Sequence, residues 1–184
     1  YYAQAYRFFE AGNMVAYLFS VLLLPIFSKM IKTKRSLNDI IDISFKIMFT
    51  GAVILSVLCF QFSKEILNWR YQDLSQQSDY LFSVLMFCFV CISSTYVFGT
   101  LLTANGNLRV LNLLAGAAVI VSIGLNLLFI PKWLALGSAV ASLITQLMVS
   151  VIQIIVSKKK FDIRTTFIGC AQFFCFVFGV LSIS

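Results

Sequence analysis

The chain contains 184 residues, of which 60% are hydrophobic and 11% are charged, and its net charge is +7. Because a soluble domain carries about 25% charged residues, this composition excludes an ordinary water-soluble globular protein. The basic residues lie between apolar stretches, where membrane topology places them, so the positive charge does not indicate a nucleic-acid-binding protein.

Five stretches of the chain are long and apolar enough to cross a bilayer, and a sixth runs to the last residue. A helix rises about 1.5 Å per residue and the hydrocarbon core is about 30 Å thick, so about 20 residues form one span. We predict an all-α, polytopic transmembrane helix bundle over residues 1–184, a fragment that is cut at both ends. Its predicted spans are residues 11–29, 43–62, 80–104, 108–130, 134–156 and 167–184.

The links between the spans carry turn and interface signals. Pro25 lies near the end of the first span, where a proline kinks a helix as a hinge or as a static packing feature. The longest link, residues 63–79, is either a short amphipathic helix on the outer surface or a plain loop. Asn105-Gly106-Asn107 and Pro131-Lys132-Trp133 predict tight turns on either side of the fourth span.

The basic residues predict the orientation of the bundle. If the spans alternate, ten Lys and Arg residues fall on one side and four on the other. The richer side carries Lys29, Lys32, Lys34, Arg35, Lys46, Arg109, Lys158, Lys159, Lys160 and Arg164. Basic loops stay in the cytoplasm, so the first span runs from outside to inside.

The residue types that are missing narrow the chemistry. The chain has no His, which excludes His-dependent triads, H-E-x-x-H zinc sites and His proton relays from this segment. All seven acids lie in predicted loops or at span ends. Cys88 and Cys91 form a C-x-x-C pair within an apolar span, where cysteine acts as a small hydrophobe. We expect no catalytic residues, no metal and no cofactor.

Polar side chains within or near the spans have two interpretations. A polar group in hydrocarbon is costly unless it finds a partner or a wet cavity. The first interpretation is hydrogen bonding between helices. The second is a cavity for an anionic, hydroxyl-rich substrate, in which Arg and Lys contact phosphates while Asn and Gln contact sugar hydroxyls. The candidate cavity residues are Arg7, Asn13, Lys46, Arg109, Asn126 and Gln146.

Several motifs, taken in order, resemble the polysaccharide flippases, the lipid-linked oligosaccharide exporters of the multidrug/oligosaccharidyl-lipid/polysaccharide superfamily. The resembling segments are Tyr2-Ala3-Gln4-Ala5, Leu24-Pro25-Ile26-Phe27-Ser28, Phe62-Ser63-Lys64-Glu65-Ile66-Leu67, residues 99–107 with Arg109, and residues 126–131 with 136–142. They cover nearly the whole chain and resemble the second half of such an exporter.

The resemblance implies a two-lobed transporter of the bacterial cytoplasmic membrane, with this chain as most of the second lobe. Its substrate would be an undecaprenyl-diphosphate-linked oligosaccharide, moved to the outer leaflet by alternating access for O-antigen or lipopolysaccharide synthesis. Its partners would be this lipid, membrane lipid and the polysaccharide polymerase machinery. The alternatives are a drug/cation antiporter of the same superfamily, a membrane-embedded cell-envelope enzyme, or a structural subunit without a transport role.

Overall fold

The computed structural model describes residues 2–63 and 76–161, without the side chains of residues 2–5, 8 and 76–80. The described residues form helices α1 (Tyr2–Lys32), α2 (Asn38–Gln61), α3 (Gln76–Ala104) and α4 (Leu108–Phe161), and they contain no β-strand. The predicted all-α class is therefore confirmed. The predicted sixth span and most of the link between the second and third spans lie outside the described residues.

The long helix α4 is broken at Leu134, whose backbone angles are φ 49° and ψ −123°. These angles are not helical, and they are rarely adopted by a residue with a branched side chain. Beyond the break, the Cα of Gly137 lies against the backbone carbonyl of Phe129, a contact that two residues eight positions apart cannot make in a straight helix. Residues 108–133 are therefore the first arm of α4, and residues 135–161 are the second arm, which turns back beside it.

Four helices of the described chain are long and apolar enough to cross a membrane, by length and composition: Phe9–Lys32, Asn38–Gln61, Leu81–Ala104 and Leu108–Phe161. Large apolar side chains such as Leu22, Ile47, Ile120 and Leu127 are exposed on the outside of the bundle. Such a surface suits acyl chains, and a helix satisfies its own backbone groups in lipid. The length and the surface indicate a membrane protein.

Helix α3 is the centre of the bundle, because α1, α2 and α4 all pack against it. Its buried side chains form two apolar clusters. One surrounds Phe82 and Leu85 and includes Ala52 of α2 and Ala139 of α4. The other surrounds Phe98 and Leu101, so that apolar packing runs along most of the length of α3.

The two clusters also give the directions of the helices. Helix α1 contributes Phe9 to the first cluster and Phe27 to the second, so it runs parallel to α3. The second arm of α4 is also parallel to α3, since Ala139 lies in the first cluster and Ile154 packs against the second. Helix α2 runs the other way, because Phe45 precedes Ala52.

The parallel helices end together at the end of the bundle that carries most of the basic residues. There, α1 and α3 both finish in a Schellman motif, with Lys34 (φ 51°) and Gly106 (φ 74°) as the left-handed residues. The Arg35 N–H donates to the Met30 carbonyl at 3.2 Å, and the Asn107 N–H donates to the Leu102 carbonyl at 3.0 Å. We call this the basic end; it carries α1's last turn, the first turn of α4 and the Lys158–Lys160 run.

Pro25 lies within α1, and the helix continues through it to Lys32. A proline cannot donate the usual hydrogen bond to the preceding turn. In a membrane helix the neighbouring helices compensate for such a loss, and the buried side chains of Leu23 and Phe27 anchor α1 on either side of Pro25. The described backbone therefore shows a helix that is held in place around its proline.

Candidate functional site

A polar seam lies between α1 and α3. It consists of Asn13, Tyr17 and Ser20 on α1 and of Tyr96 and Thr100 on α3. On α1 the three residues are spaced by four and three positions, which places them on one face of a helix. On α3 the two residues are one turn apart. The two helices run parallel, so the two polar faces meet along their length.

The basic-end half of the polar seam is a hydrogen-bonded pair of hydroxyls. Ser20 Oγ lies 2.6 Å from Thr100 Oγ1, and Thr100 Oγ1 donates to the Tyr96 carbonyl at 2.6 Å. A hydroxyl has one hydrogen to donate. Because Thr100 uses its hydrogen on the carbonyl, Ser20 is the donor to Thr100. This bond joins α1 to α3 in the interior of the bundle.

The other half of the polar seam is built around Tyr96. The rings of Tyr17 and Tyr96 meet edge to face, with centroids 6.2 Å apart and planes at 62°. The Asn13 amide lies beside the side chain of Tyr96, close enough to interact with it. The Asn13 Oδ1 atom is buried and has no hydrogen-bond partner, so the amide keeps an acceptor to offer. A buried acceptor without a donor costs about 1–3 kcal/mol.

The polar seam lies near the middle of helices that are long and apolar enough to cross a membrane. Tyr96 lies three to four residues from the midpoint of the span Leu81–Ala104, which is about 5 Å at 1.5 Å per residue. Tyrosine is normally enriched at the membrane surface, where its hydroxyl reaches water. The polar groups of two tyrosines and an amide at this depth therefore require hydrogen-bond partners, which are one another, water in a cavity or a ligand.

The six residues predicted to line a cavity lie at separate places in the bundle. Asn13 belongs to the polar seam, while Arg7 is exposed near the start of α1 and Arg109 is exposed at the basic end. Arg7 and Arg109 are therefore at opposite ends of the bundle. Lys46 is exposed on α2 and forms an ion pair with Asp42 at 2.6 Å. Gln146 is half-buried in the second arm of α4.

Asn126, the remaining predicted residue, lines an apolar pocket of about 300 Å³ on the first arm of α4. Its Nδ2 donates to the Ser122 carbonyl at 2.8 Å, whereas its Oδ1 is buried without a partner. Ile123, Leu127, Ile130 and Pro131 form the rest of the pocket. The pocket offers mainly apolar contact, which does not suit a charged group.

A second polar group lies between α3 and the second arm of α4, close to the basic end. Gln153 is only 5% exposed and lies against Gly99, where the absence of a side chain makes room for the amide. The Gln153 Oε1 and the Ser157 Oγ are both buried without a partner. At the end of the arm, Lys160 donates to the Asn107 side chain in the turn after α3. These contacts fasten the second arm to the central helix.

The described residues contain no group of three or more His, Cys, Asp or Glu side chains that could hold a metal ion. Cys88 and Cys91 are buried in α3, where Cys88 packs within the first apolar cluster. The C-x-x-C pair therefore contributes apolar packing, as expected for cysteine in such surroundings.

Sequence reasoning identified Asn13 and missed the other four residues of the polar seam. Ser20 and Thr100 are common residue types in apolar spans, and they gain significance only because α1 and α3 face each other. The signal that was present was the spacing of Asn13, Tyr17 and Ser20 on one helix face. The spacing does not predict which helix packs against this face of α1.

Comparison of the chain with protein-family models, with curated protein sequences and with solved structures finds no match.

Proposed function

We propose that the chain is part of a membrane transporter that flips undecaprenyl-diphosphate-linked oligosaccharide across the bacterial cytoplasmic membrane by alternating access. The transported lipid would supply surface polysaccharide synthesis, such as that of O-antigen or lipopolysaccharide. The observation that carries the proposal is the polar seam, an uncharged hydrogen-bonding surface near the middle of a membrane bundle. The partners would be the lipid-linked oligosaccharide, the surrounding membrane lipid and the polymerase machinery.

The chemistry of the polar seam suits a neutral head group. Its side chains offer hydroxyls, one amide and two aromatic rings, which are the groups that bind sugar hydroxyls and the apolar faces of sugar rings. Asp42, a carboxylate of the neighbouring helix, is already paired with Lys46. A site built for a cationic drug would place a free carboxylate among these groups.

The charges at the basic end are consistent with the diphosphate group of the proposed substrate. Lys and Arg are the residues that bind phosphate oxygens, and this end carries Lys29, Lys32, Arg109 and the Lys158–Lys160 run. If the basic end faces the cytoplasm, a diphosphate-linked lipid in the inner leaflet would meet these cations before its sugars reach the polar seam. The cations at the basic end would then contact the diphosphate, and the hydroxyls of the polar seam would contact the sugars.

The ordered motifs that resemble the polysaccharide flippases add a further argument. They fall on α1, on the end of α3 with the turn after it, and on both sides of the break in α4, while most of the segment 62–67 lies outside the described residues. In a two-lobed exporter the substrate lies between lobes that rock against each other. On this proposal α1–α4 belong to the second lobe, and the polar seam is part of the wall that faces the other lobe.

The test is a lipid-flipping assay with the full-length protein in liposomes. Undecaprenyl-diphosphate-linked N-acetylglucosamine with a nitrobenzoxadiazole label on the sugar is placed in both leaflets, and dithionite is added outside. We expect the inner-leaflet label to become accessible to dithionite only when the protein is present. Asn13→Leu should slow this exposure, whereas Val15→Leu, which alters an exposed apolar side chain elsewhere on α1, should not.

Other outcomes separate the alternatives. Absence of flipping together with gradient-driven uptake of tetraphenylphosphonium would replace the proposal with a drug/cation antiporter. Release or transfer of the sugar during incubation would instead indicate a membrane-embedded enzyme of the cell envelope. Absence of all three activities in a folded protein would leave a structural subunit.

A further inference from the structure

We propose that Tyr17 is a sugar-binding residue on which a pyranose ring of the substrate stacks, and that Asn13 and Tyr96 are positioning residues that hold its ring in place. This inference rests on the proposed function and makes it more specific. It assigns the recognition of the glycan to one aromatic ring near the middle of the membrane. The diphosphate and the lipid tail are assigned elsewhere.

Tyr17 is the accessible member of the polar seam. Its side chain is 54% exposed, whereas Ser20 and Thr100 are buried. The neighbouring exposed side chains on the same face of α1 are the apolar Met14, Leu18 and Val21. The face thus combines a broad apolar surface with an aromatic ring that carries a hydroxyl, and ligand sites commonly have this composition.

The ring of Tyr17 packs against Tyr96 on α3. Tyr96 presents its ring at 62° to that of Tyr17, an edge-to-face geometry that fixes orientation as well as distance. The side chain of Tyr96 in turn lies beside that of Asn13, one helical turn from Tyr17. A chain of contacts therefore leaves α1 at Asn13, passes through Tyr96 and returns to α1 at Tyr17.

The unpartnered acceptor of Asn13 points to a ligand or an ordered water. Its Oδ1 is buried without a donor in the described structure. One helical turn away, the ring of Tyr17 is exposed at the surface of the bundle. A sugar hydroxyl is a donor of the kind that Asn13 Oδ1 lacks. Sugars are rich in such donors, and the apolar face of a pyranose ring packs on an aromatic ring, so one substrate satisfies both requirements.

A cation is the competing ligand for an aromatic ring, since the faces of tyrosine rings attract ammonium and phosphonium groups. The polar seam itself contains hydroxyls and an amide but no carboxylate. Glu10 lies one turn from Asn13 and is exposed, outside the contacts around Tyr96. The composition of the seam therefore favours a neutral sugar over a cation.

The experiment measures binding of two probes to the full-length protein in detergent: undecaprenyl diphosphate, and the same lipid carrying N-acetylglucosamine. We expect wild type to prefer the sugar-bearing lipid by about tenfold, a ratio that corresponds to about 1.4 kcal/mol. Tyr17→Leu should reduce the ratio to about one, whereas Tyr17→Phe, which keeps the ring, should retain most of it. Val15→Leu, which alters an exposed apolar side chain elsewhere on α1, is the matched control and should leave the ratio unchanged.

A second measurement reports contact directly. Saturation of aromatic protein protons should transfer magnetisation to the ring protons of N-acetylglucosamine in wild type and Tyr17→Phe, and much less in Tyr17→Leu. Tyr96→Phe removes the hydroxyl that lies beside Asn13 and should weaken the transfer while keeping both rings. A role in folding alone would lower binding of both probes equally and would leave their ratio unchanged.

The outcomes distinguish the two proposals. If the protein flips the labelled lipid and the binding ratio is the same in wild type and Tyr17→Leu, the assignment of Tyr17 is wrong and the flippase proposal stands. If wild type flips no lipid, the proposed function is wrong. If Tyr17→Leu abolishes binding of tetraphenylphosphonium and wild type shows no sugar preference, the ring binds cations and the assignment is overturned.

Discussion

Ser20 donates a hydrogen bond to Thr100 across the contact between α1 and α3, with 2.6 Å between the two hydroxyl oxygens. The Thr100 hydroxyl in turn donates a hydrogen bond to the Tyr96 carbonyl, also at 2.6 Å. The first helix is thereby connected through Thr100 to the backbone carbonyl of Tyr96 itself. The stability of this contact and the geometry of the polar seam are therefore linked.

Replacing either hydroxyl should weaken the contact between α1 and α3 by a small amount. We expect Ser20→Ala and Thr100→Val each to destabilise the protein by about 0.5–1 kcal/mol, and the coupling between them to be about 0.6 kcal/mol, the average for such bonds in membranes. The measurement is a double-mutant cycle on unfolding in mixed micelles. Additive effects of the two substitutions would show that the hydroxyls do not interact.

Gly137 should not tolerate a side chain. A Cβ at this position would overlap the backbone carbonyl of Phe129 and approach the Ile130 nitrogen to 3.0 Å, so the arms of α4 would have to separate. We expect Gly137→Ala to destabilise the protein by about 1–3 kcal/mol, as overpacking does. The readout is the midpoint of thermal unfolding in detergent.

Gly124 provides the matched control for that substitution. It lies in the first arm of the same helix, and nothing lies within 4 Å of a Cβ built there. Alanine has the higher helix propensity, so Gly124→Ala should leave the midpoint unchanged or raise it. Equal losses from both substitutions would show that the effect belongs to glycine in α4 generally, and not to the contact with Phe129.

The helical class was predictable because it depends on features that each segment carries alone. Apolar length and composition predict helices in a membrane whatever the neighbours are. The turn at Asn105-Gly106-Asn107 was likewise predictable, since Gly106 adopts φ 74° and closes the end of α3. The break at Leu134 falls next to the turn predicted from Pro131-Lys132-Trp133, although proline and tryptophan gave no reason to choose Leu134 as the non-helical residue.

The candidate site was harder to predict because it depends on which helices meet. The sequence singled out polar side chains one by one, and so it grouped Arg7 with Arg109, which lie at opposite ends of the bundle. Tyr96 and Thr100 were not predicted, because their role depends on the packing of α3 against α1. Orphaned atoms such as Asn13 Oδ1 are visible only when the surrounding packing is known.

Gln153 should be replaceable by an apolar residue with a gain in stability. Its side chain is buried against Gly99, and its Oε1 has no partner. Methionine has a similar shape and no orphaned acceptor, so Gln153→Met should stabilise the protein by about 1 kcal/mol, within the range for an unpaired buried group. Unfolding in mixed micelles is the measurement. A clear loss of stability would instead show that a water or ligand normally satisfies the amide.

The orientation of the bundle can be tested at its two ends. Lys34 follows α1 at the basic end and Lys132 lies at the end of the first arm of α4, and both are exposed. Each is replaced by cysteine in a variant whose five native cysteines are changed to alanine. A membrane-impermeant maleimide should label Lys132→Cys on intact cells and Lys34→Cys only after permeabilisation, because basic loops stay in the cytoplasm.

The control for this labelling is Ile120→Cys, which lies on the exposed apolar surface of the first arm of α4 and should resist the reagent in both conditions. The parallel packing of α1, α3 and the second arm of α4 means that one labelled position at the basic end fixes the side of all three helix ends. Labelling of Lys34→Cys on intact cells would place the basic end outside. The cations would then meet the diphosphate after transport, which contradicts the order of binding proposed for the substrate.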